Sequence, residues 1–223
     1  GFYEDGSFVQ HGNIAYNGSY GIVLIEGLTD MLELLSDSAW KVTDPKVTNV
    51  YDWIENAYEP FMYKGALMDM VRGRAISRNF LQDHQAGHTI IKSVIRMAQF
   101  VPEPYAEKYN GMAKYWLQED TYLDYFKNAG NFRDITLAKQ LLEKQEVSPR
   151  GDLDFHKTFA SMDRVVHRKP GYAFGISMYS NRIQNYEDMN DENRKGWYSG
   201  EGMTYLYNAD LAQYSDDFWP TVD

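Results

Sequence analysis

At 223 residues, 43% hydrophobic and 24% charged, the chain has the composition of a globular protein with enough apolar content for one large domain or two modest ones. Its 22 basic and 32 acidic residues give a net charge of -10, which works against nonspecific attachment to nucleic acid or to an anionic membrane surface. The absence of Cys excludes disulfides and thiol catalysis, and no run approaches the ~18 apolar residues of a membrane span. No signal peptide is visible, but the chain opens on Gly1-Phe-Tyr-Glu-Asp rather than Met, which leads us to expect a piece of a longer protein. Aromatic residues, 18 Tyr, 11 Phe and 5 Trp, offer flat apolar faces with polar handles, a property shared by carbohydrate sites and ordinary cores.

In chain order, the spacing of Ile22, Val23, Ile25, Leu28, Met31, Leu32 and Leu35 predicts a helix from Tyr20 to Leu35. Thr43-Asp-Pro is a helix start, and Val47, Val50, Trp53, Ile54, Ala57 and Phe61 mark a second helix ending near Met62. A third runs from about Gln85 to Phe100, with Ile90, Ile91, Val94, Ile95 and Ala98 on its buried side. Pro102 and Pro104 stop it and open a fourth, Tyr105 to Gln118. Shorter helices are expected at Asp120 to Lys127 and Asp134 to Lys144. After Pro149-Arg-Gly-Asp, three short aromatic or β-branched segments read as antiparallel strands, beginning at Met162, Tyr172 and Gly202. Helices followed by strands indicate an α+β arrangement or two domains, divided near residues 150 to 160.

Three stretches concentrate polar chemistry. His11-Gly-Asn-Ile-Ala-Tyr-Asn-Gly-Ser-Tyr20 precedes the first helix and would place Tyr20 at its N-terminus, where the helix dipole favours negative charge. His11 lies nine residues before Tyr20, so only a folded loop brings the two together; a polar loop with a capping hydroxyl is the plainer alternative. Met68-Asp-Met-Val-Arg-Gly-Arg-Ala-Ile-Ser-Arg carries Arg72, Arg74 and Arg78. If helical, it puts Arg74 and Arg78 on one face, either paired with acidic residues or gripping a carboxylate through forked hydrogen bonds. Asn185-Tyr-Glu-Asp-Met-Asn190-Asp-Glu-Asn-Arg-Lys-Gly-Trp197 is rich in turn formers and connects two expected strands, as a site loop or a solvated acidic turn. His84 and His88 have the spacing of a helical metal pair, but the Glu of HExxH and a third ligand are lacking, so no metal is expected there. His156 and His167 read as surface or satisfied polar residues.

Together these motifs resemble polysaccharide lyase family 8, whose members cleave uronic-acid polysaccharides such as hyaluronan, chondroitin and xanthan. The match comprises Asp5-Gly-Ser-Phe with HxNxAYxGxYG, then MDMxRGRxISR, then NYExMNxENxxGWYxxxGMxYLYN followed by WPTVD, in order along essentially the whole chain. The resemblance implies the end of an α/α toroid over residues 1 to 155 and the first strands of an antiparallel β-sandwich domain over 156 to 223. It assigns His11 and Tyr20 to the catalytic His and Tyr, Arg74 to the arginine beside them, and Glu187 to the polar partner from the β domain. Asn13, Arg78, Phe80 and Asn190 become candidate substrate contacts. The family also uses an Asn and an aromatic patch upstream of HxNxAYxGxYG, absent from this chain, so the chain is expected to need further parts of the same enzyme.

The chemistry so implied is β-elimination from a 4-O-linked uronide, with Tyr20 as base and then acid and His11 on the substrate carboxylate. A tyrosine, with an ordinary pKa near ~10, needs charge and hydrogen bonding from a group such as Arg74 to act as a base. The implied protein is secreted, binds an acidic polysaccharide, and needs no cofactor within this chain. Val50-Tyr-Asp-Trp-Ile-Glu-Asn-Ala-Tyr-Glu-Pro-Phe-Met-Tyr-Lys-Gly is most similar to family members acting on xanthan, where a terminal, often pyruvylated, mannose is removed from glucuronate; hyaluronan and chondroitin are the other candidates. From another class, a non-catalytic carbohydrate-binding module would not need all of His11, Tyr20, Arg74 and Glu187, and a glycoside hydrolase would need an opposed carboxylate pair that does not stand out.

Overall fold

The computed structural model describes residues 1–216, 218 and 219; the last four residues of the WPTVD motif lie outside the described residues. Helix α1 spans Tyr20–Leu35 and buries Ile22, Ile25, Thr29 and Leu32, while Val23 and Leu34 on its other face are exposed. The second helical segment begins as expected at Asp44, whose carboxylate accepts from the Lys46 N–H at 2.8 Å ahead of Pro45. It continues through α2 (Thr48–Trp53) and then irregular turns over Ile54–Tyr58 and Glu59–Phe61. Pro60 lacks the N–H that a regular ladder needs at that point, which accounts for the tightened final turn.

Helix α3 (Asp83–Met97) is the centre of the helical part, packing against α1, α4 (Tyr105–Glu119) and α6 (Phe132–Glu143) through fully buried Ile90, Ile91 and Val94. The helix expected over Asp120 to Lys127 shrinks to α5 (Tyr125–Asn128). Asp120 Oδ1 accepts from the backbone N–H groups of Tyr122 and Leu123 at 3.2 and 3.0 Å, giving them an alternative to helical bonding. Two small antiparallel hairpins, β1 (Val9–Gln10) with β2 (Ile14–Ala15) and β3 (Met62–Tyr63) with β4 (Ala66–Leu67), interrupt the helices.

The strands form one antiparallel sheet in chain order: β5 (Phe155–Phe159), β6 (Arg164–Lys169), β7 (Tyr172–Ser177) and β8 (Met203–Tyr207). Strand β5 is not expected from sequence because His156 and Lys157 break its apolar alternation. The register pairs Val166 with Gly175 and Gly175 with Tyr205 on the inner face. That face packs directly on the helical part, with the rings of Phe61 and Phe159 4.5 Å apart.

Two buried arginines fasten sheet to helices through backbone carbonyls, with no carboxylate partner among the described residues. Arg168 Nη1 donates to the carbonyls of Pro60 and Met62 at 3.0 and 2.9 Å. Arg164 Nε donates to Met70 O at 2.7 Å, and its Nη1 to Met162 O and Met178 O at 3.0 and 2.8 Å. Burial pushes the Arg164 guanidinium down to about 10, so it keeps its proton near neutrality, with carbonyls replacing lost hydration. Gly175 permits the fit, because a Cβ there would meet Met70 Sδ at 2.7 Å. The loop carrying Met70 leads straight to Arg74, so the sheet contact fixes one wall of the site.

Candidate active site

The first wall is the loop from His11 to Tyr20. Asn17, wholly buried, shapes it by accepting from Phe8 N at 3.1 Å and donating to the carbonyls of Gly6 and Ala57 at 3.0 Å each. Gly18 N donates to Val71 O at 2.8 Å, tying this loop to the arginine segment. Tyr20 is the first residue of α1, and Ser19 before it makes no side-chain cap, so the plainer capping alternative has no bond to support it. His11 adopts φ +53°, an uncommon conformation for a non-glycine residue that His tolerates better than most, and its ring meets the other groups there.

The second wall is the arginine segment, which forms two short 3-10 turns, Asp69–Val71 and Gly73–Ser77, rather than an α-helix. Arg72 is structural: its Nη1 donates to buried Asp69 at 2.5 Å. Gly73 has φ +55°, and a Cβ there would lie 2.2 Å from Tyr16 Cε1, so the turn passes directly over the Tyr16 ring. The third wall is the loop from 178 to 202 between β7 and β8, which brings Glu187 and Glu192 to opposite sides of Arg74. Its Asn193 is buried and pinned, with its backbone N–H on Ser77 Oγ at 2.9 Å and its Nδ2 on Glu187 O at 3.0 Å.

Arg74 is the hub. Its Nη2 donates to the Tyr20 hydroxyl at 3.1 Å, its Nη1 to Glu187 Oε2 at 2.6 Å and the Tyr16 hydroxyl at 3.0 Å, and its Nε to Glu192 Oε2 at 2.7 Å. Burial opposes its charge, but the bonds to Tyr20 and Glu187 outweigh this and hold the guanidinium above its ordinary range. Glu187 is buried yet held below the usual carboxylate range, because bonds from Tyr16, Arg74 and His11 outweigh desolvation. His11 Nδ1 lies 2.6 Å from Glu187 Oε1, which makes Nδ1–H the donor and leaves Nε2 for a ligand.

Two tyrosines share this cluster and differ in kind. Tyr16 is wholly buried, its hydroxyl donates to Glu187 Oε2, and burial followed by the Glu187 carboxylate pushes its pKa up. Tyr20 is only partly buried and its hydroxyl accepts from Arg74. Its ring lies 4.4 Å from that of His11 and borders a groove of about 570 Å³ with Phe8, Gln10 and Val23.

Of the residues expected from sequence, the structure gathers His11, Tyr20, Arg74 and Glu187 into one bonded cluster. Arg78 stands beside it, its guanidinium 5.7 Å from the exposed Phe80 ring and forked onto Glu192. Asn190 is exposed on the Glu187 loop with φ +58°, and Asn13 is placed at the edge, its carbonyl accepting from Gln184 N at 3.0 Å. Sequence reasoning missed Tyr16 and Glu192. Both lie inside the quoted motifs, but nothing in residue spacing says that they face Arg74.

His84 and His88 are buried, and both meet Asp120 Oδ2, at 2.9 and 2.8 Å. His84 Nε2 donates to Leu211 O at 2.8 Å, so this histidine bridges α3 to the segment after β8. No group of three or more His, Asp or Glu side chains among the described residues is arranged to hold a metal ion.

The N terminal alpha-helical domain of polysaccharide lyase family 8 matches residues 1–115, and the super-sandwich domain of that family matches residues 154–223. The xanthan lyase of Bacillus sp. (strain GL1) is 50% identical over 223 residues, all of this chain and 24% of that protein. A hyaluronate lyase of Thermasporomyces composti is 42% identical over 226 residues, covering all of this chain and 29% of its own length. The solved structure of a Paenibacillus xanthan lyase superposes with a TM-score of 0.95 at 52% identity, over 98% of this chain and 21% of that one. The Streptomyces coelicolor A3 chondroitin AC lyase, in complex with chondroitin sulphate, gives 0.92 at 37% identity, over 100% and 32%. The chain thus spans about a quarter of the length of the curated relatives it matches. With both family domains matched in order across the helices and the sheet, the chain belongs to polysaccharide lyase family 8.

Proposed function

We propose that this chain supplies the catalytic cluster of a lyase that cleaves a uronic-acid-containing polysaccharide by β-elimination, most fittingly xanthan. The observation that carries the reading is the Arg74 guanidinium shared between the Tyr20 hydroxyl and Glu187, with His11 on the other oxygen of the same carboxylate. The C5–H of a uronide is acidic only when charge on its carboxylate is offset, so the site needs a donor at the carboxylate and a base at C5. His11, held through Nδ1 on Glu187, turns the other edge of its ring to the uronide carboxylate. Tyr20, whose hydroxyl accepts from Arg74 Nη2, takes the C5 proton. Electrons of the C5–H bond form the C4–C5 double bond, the C4–O4 bond breaks, and the Tyr20 hydroxyl returns its proton to the leaving oxygen.

Glu187 holds Arg74 and His11 in place and does not react. Arg78, over Phe80, is suited to an acidic substituent, while Asn13 and Asn190 are suited to sugar hydroxyls. Xanthan is favoured over hyaluronan or chondroitin by the 50% identity to a xanthan lyase against 42% for a hyaluronate lyase. A polymer too large to enter a cell places such an enzyme outside it, and an acidic polysaccharide together with other parts of the same enzyme are its partners in this reading. The test is the ultraviolet absorbance of unsaturated uronide released from purified xanthan and hyaluronan by the full-length protein. Faster release from xanthan is expected; preference for hyaluronan overturns the substrate, and hydrolysis without new absorbance overturns the reaction.

A further inference from the structure

Glu192 has no part in the reaction just described, yet it is the one carboxylate of the cluster that accepts from both Arg74 and Arg78 among the described residues. Its Oε2 accepts from Arg74 Nε at 2.7 Å and Arg78 Nη2 at 3.0 Å, and its Oε1 from Arg78 Nε at 2.7 Å. The carboxylate therefore grips Arg78 side-on by two parallel bonds while holding Arg74 by the one nitrogen that faces neither Tyr20 nor Glu187. A bidentate fork fixes the plane of a guanidinium, not just its position. Each arginine keeps its other edge for other work: Arg74 presents Nη1 and Nη2 to Glu187, Tyr16 and Tyr20, and Arg78 keeps Nη1, with its guanidinium 5.7 Å from the Phe80 ring centroid.

The loop is built to deliver this group. Asn190, Asp191 and Asn193, the neighbours of Glu192, have φ of +58°, +62° and +58°. Asn and Asp tolerate that region better than other side chains, but three such residues in four still require fixing from outside. The fixing comes from Asn193, bonded to Ser77 Oγ and Glu187 O, and from a Met189 to Glu192 bridge. Ser77 lies between Arg74 and Arg78 in the chain, so the anchor of the loop and the residues it serves belong to one short turn. The Arg78 bond holds the Glu192 carboxyl below its ordinary range, so it is ionised near neutrality.

We propose that Glu192 is a positioning residue serving two subsites at once: it fixes Arg74 against Tyr20, and it aims the open edge of Arg78 at an acidic substituent on the sugar that meets Phe80. Recognition of that substituent and proton transfer at Tyr20 are thereby coupled through one carboxylate. The inference rests on the lyase reading and adds to it a group that touches no substrate.

The test uses the full-length protein on xanthan carrying its pyruvyl ketals and on the same polymer with the ketals removed by mild acid. Glu192→Gln, which keeps size and one acceptor oxygen, is expected to lower kcat about tenfold on both polymers, through loss of one charged bond to Arg74. It is also expected to raise KM several-fold on the pyruvylated polymer alone. Arg78→Ala raises that same KM, and Glu192→Gln added to it raises KM no further while still lowering kcat. Glu192→Ala, with thermal unfolding as the check on folding, should show the same division with larger changes. Wild-type kinetics in Glu192→Gln, equal KM changes on the two polymers, or additive KM changes in the double variant each overturn the proposal while leaving the lyase reading standing. Absence of unsaturated product from the wild-type protein on every uronic polymer overturns both.

Discussion

The sharpest consequence of the cluster concerns its two tyrosines, which residue spacing does not rank. Tyr16 and Tyr20 rings lie 4.9 Å apart at 86°, and Arg74 bonds both hydroxyls. Only one can be the base. Tyr16 is wholly buried and spends its proton on Glu187, so as a phenolate it would face that carboxylate with no water to screen the repulsion. Tyr20 is partly exposed and accepts from a cation. Tyr16→Phe removes two bonds to charged groups, the one donated to Glu187 and the one accepted from Arg74, each worth about 1.5–3 kcal/mol of stability, and leaves the Arg74 Nη1 contact with Glu187 in place. Its effect on kcat is expected to be about tenfold, through a small shift of Arg74, since ~1.4 kcal/mol corresponds to tenfold.

Tyr20→Phe removes the group that both takes and returns the proton. General acid-base catalysis contributes about 10²–10⁴-fold for one transfer, so a loss of at least ~10³ in kcat is expected, with KM little changed. The assay is initial-rate absorbance of unsaturated product from xanthan with the two full-length variants side by side, with thermal midpoints recorded for each. The expected pattern is crossed: Tyr16→Phe the less stable and still active, Tyr20→Phe folded and nearly inactive. Activity of Tyr20→Phe within tenfold of wild type, or a greater kcat loss in Tyr16→Phe, refutes the assignment.

Arg74→Lys keeps charge but cannot reach Tyr20, Glu187 and Glu192 together, and a loss of about 10²–10³ in kcat is expected by steady-state assay, as for removal of one aimed donor. Gly73→Ala combines φ +55° with a Cβ 2.2 Å from the Tyr16 ring, so both the thermal midpoint and activity should fall, with Tyr16 displaced in a crystal structure of the variant. Asp120→Ala strips the partner from two buried histidines and from the Tyr122 and Leu123 N–H groups, and about 3–5 kcal/mol of stability should be lost in denaturant titration. Asp120 itself is pulled from 3.8 down to about 2, where bonds from His84 and His88 outweigh burial, so about 2 kcal/mol present above pH 3.8 is lost as pH falls through that interval. His84, raised because its Asp120 bond outweighs desolvation, contributes fully below its ordinary 6.5 and loses that contribution as pH rises through its folded value. Stability of wild type relative to Asp120→Ala should therefore be greatest between roughly pH 4 and 6.5.

Much of the architecture is legible in local pattern. The bounds of α1 follow from apolar spacing, and those of α4 from Pro104 and the spacing beyond it, because each helix buries one clear face. The irregular turns after Trp53, the loss of helix after Asp120 and strand β5 are not legible, since each depends on a side chain or a neighbouring strand competing for backbone groups. The arginine segment illustrates the limit. An α-helix would put Arg74 and Arg78 on one face; the structure reaches the same pairing through a 3-10 turn and a shared carboxylate. The two arginines meet on the Glu192 carboxylate without sharing a helix face.

The site is legible at the level of motifs and opaque at the level of partners, for a physical reason. His11, Tyr20 and Arg74 come from the helical part and Glu187 and Glu192 from the sheet loop, more than a hundred residues later. Contacts of that separation are set by how sheet and helices dock, and docking here is governed by Arg164 on Met70, Arg168 on Pro60 and Met62, and Gly175 beneath Met70. These contacts do not involve Tyr20, yet together they hold the sheet, and with it the loop of Glu187 and Glu192, against the segment that carries Arg74. Positions that look like ordinary sheet residues therefore control the charge balance around the base. Substitutions in the inner face of β6 should accordingly disturb proton transfer before they unfold the protein.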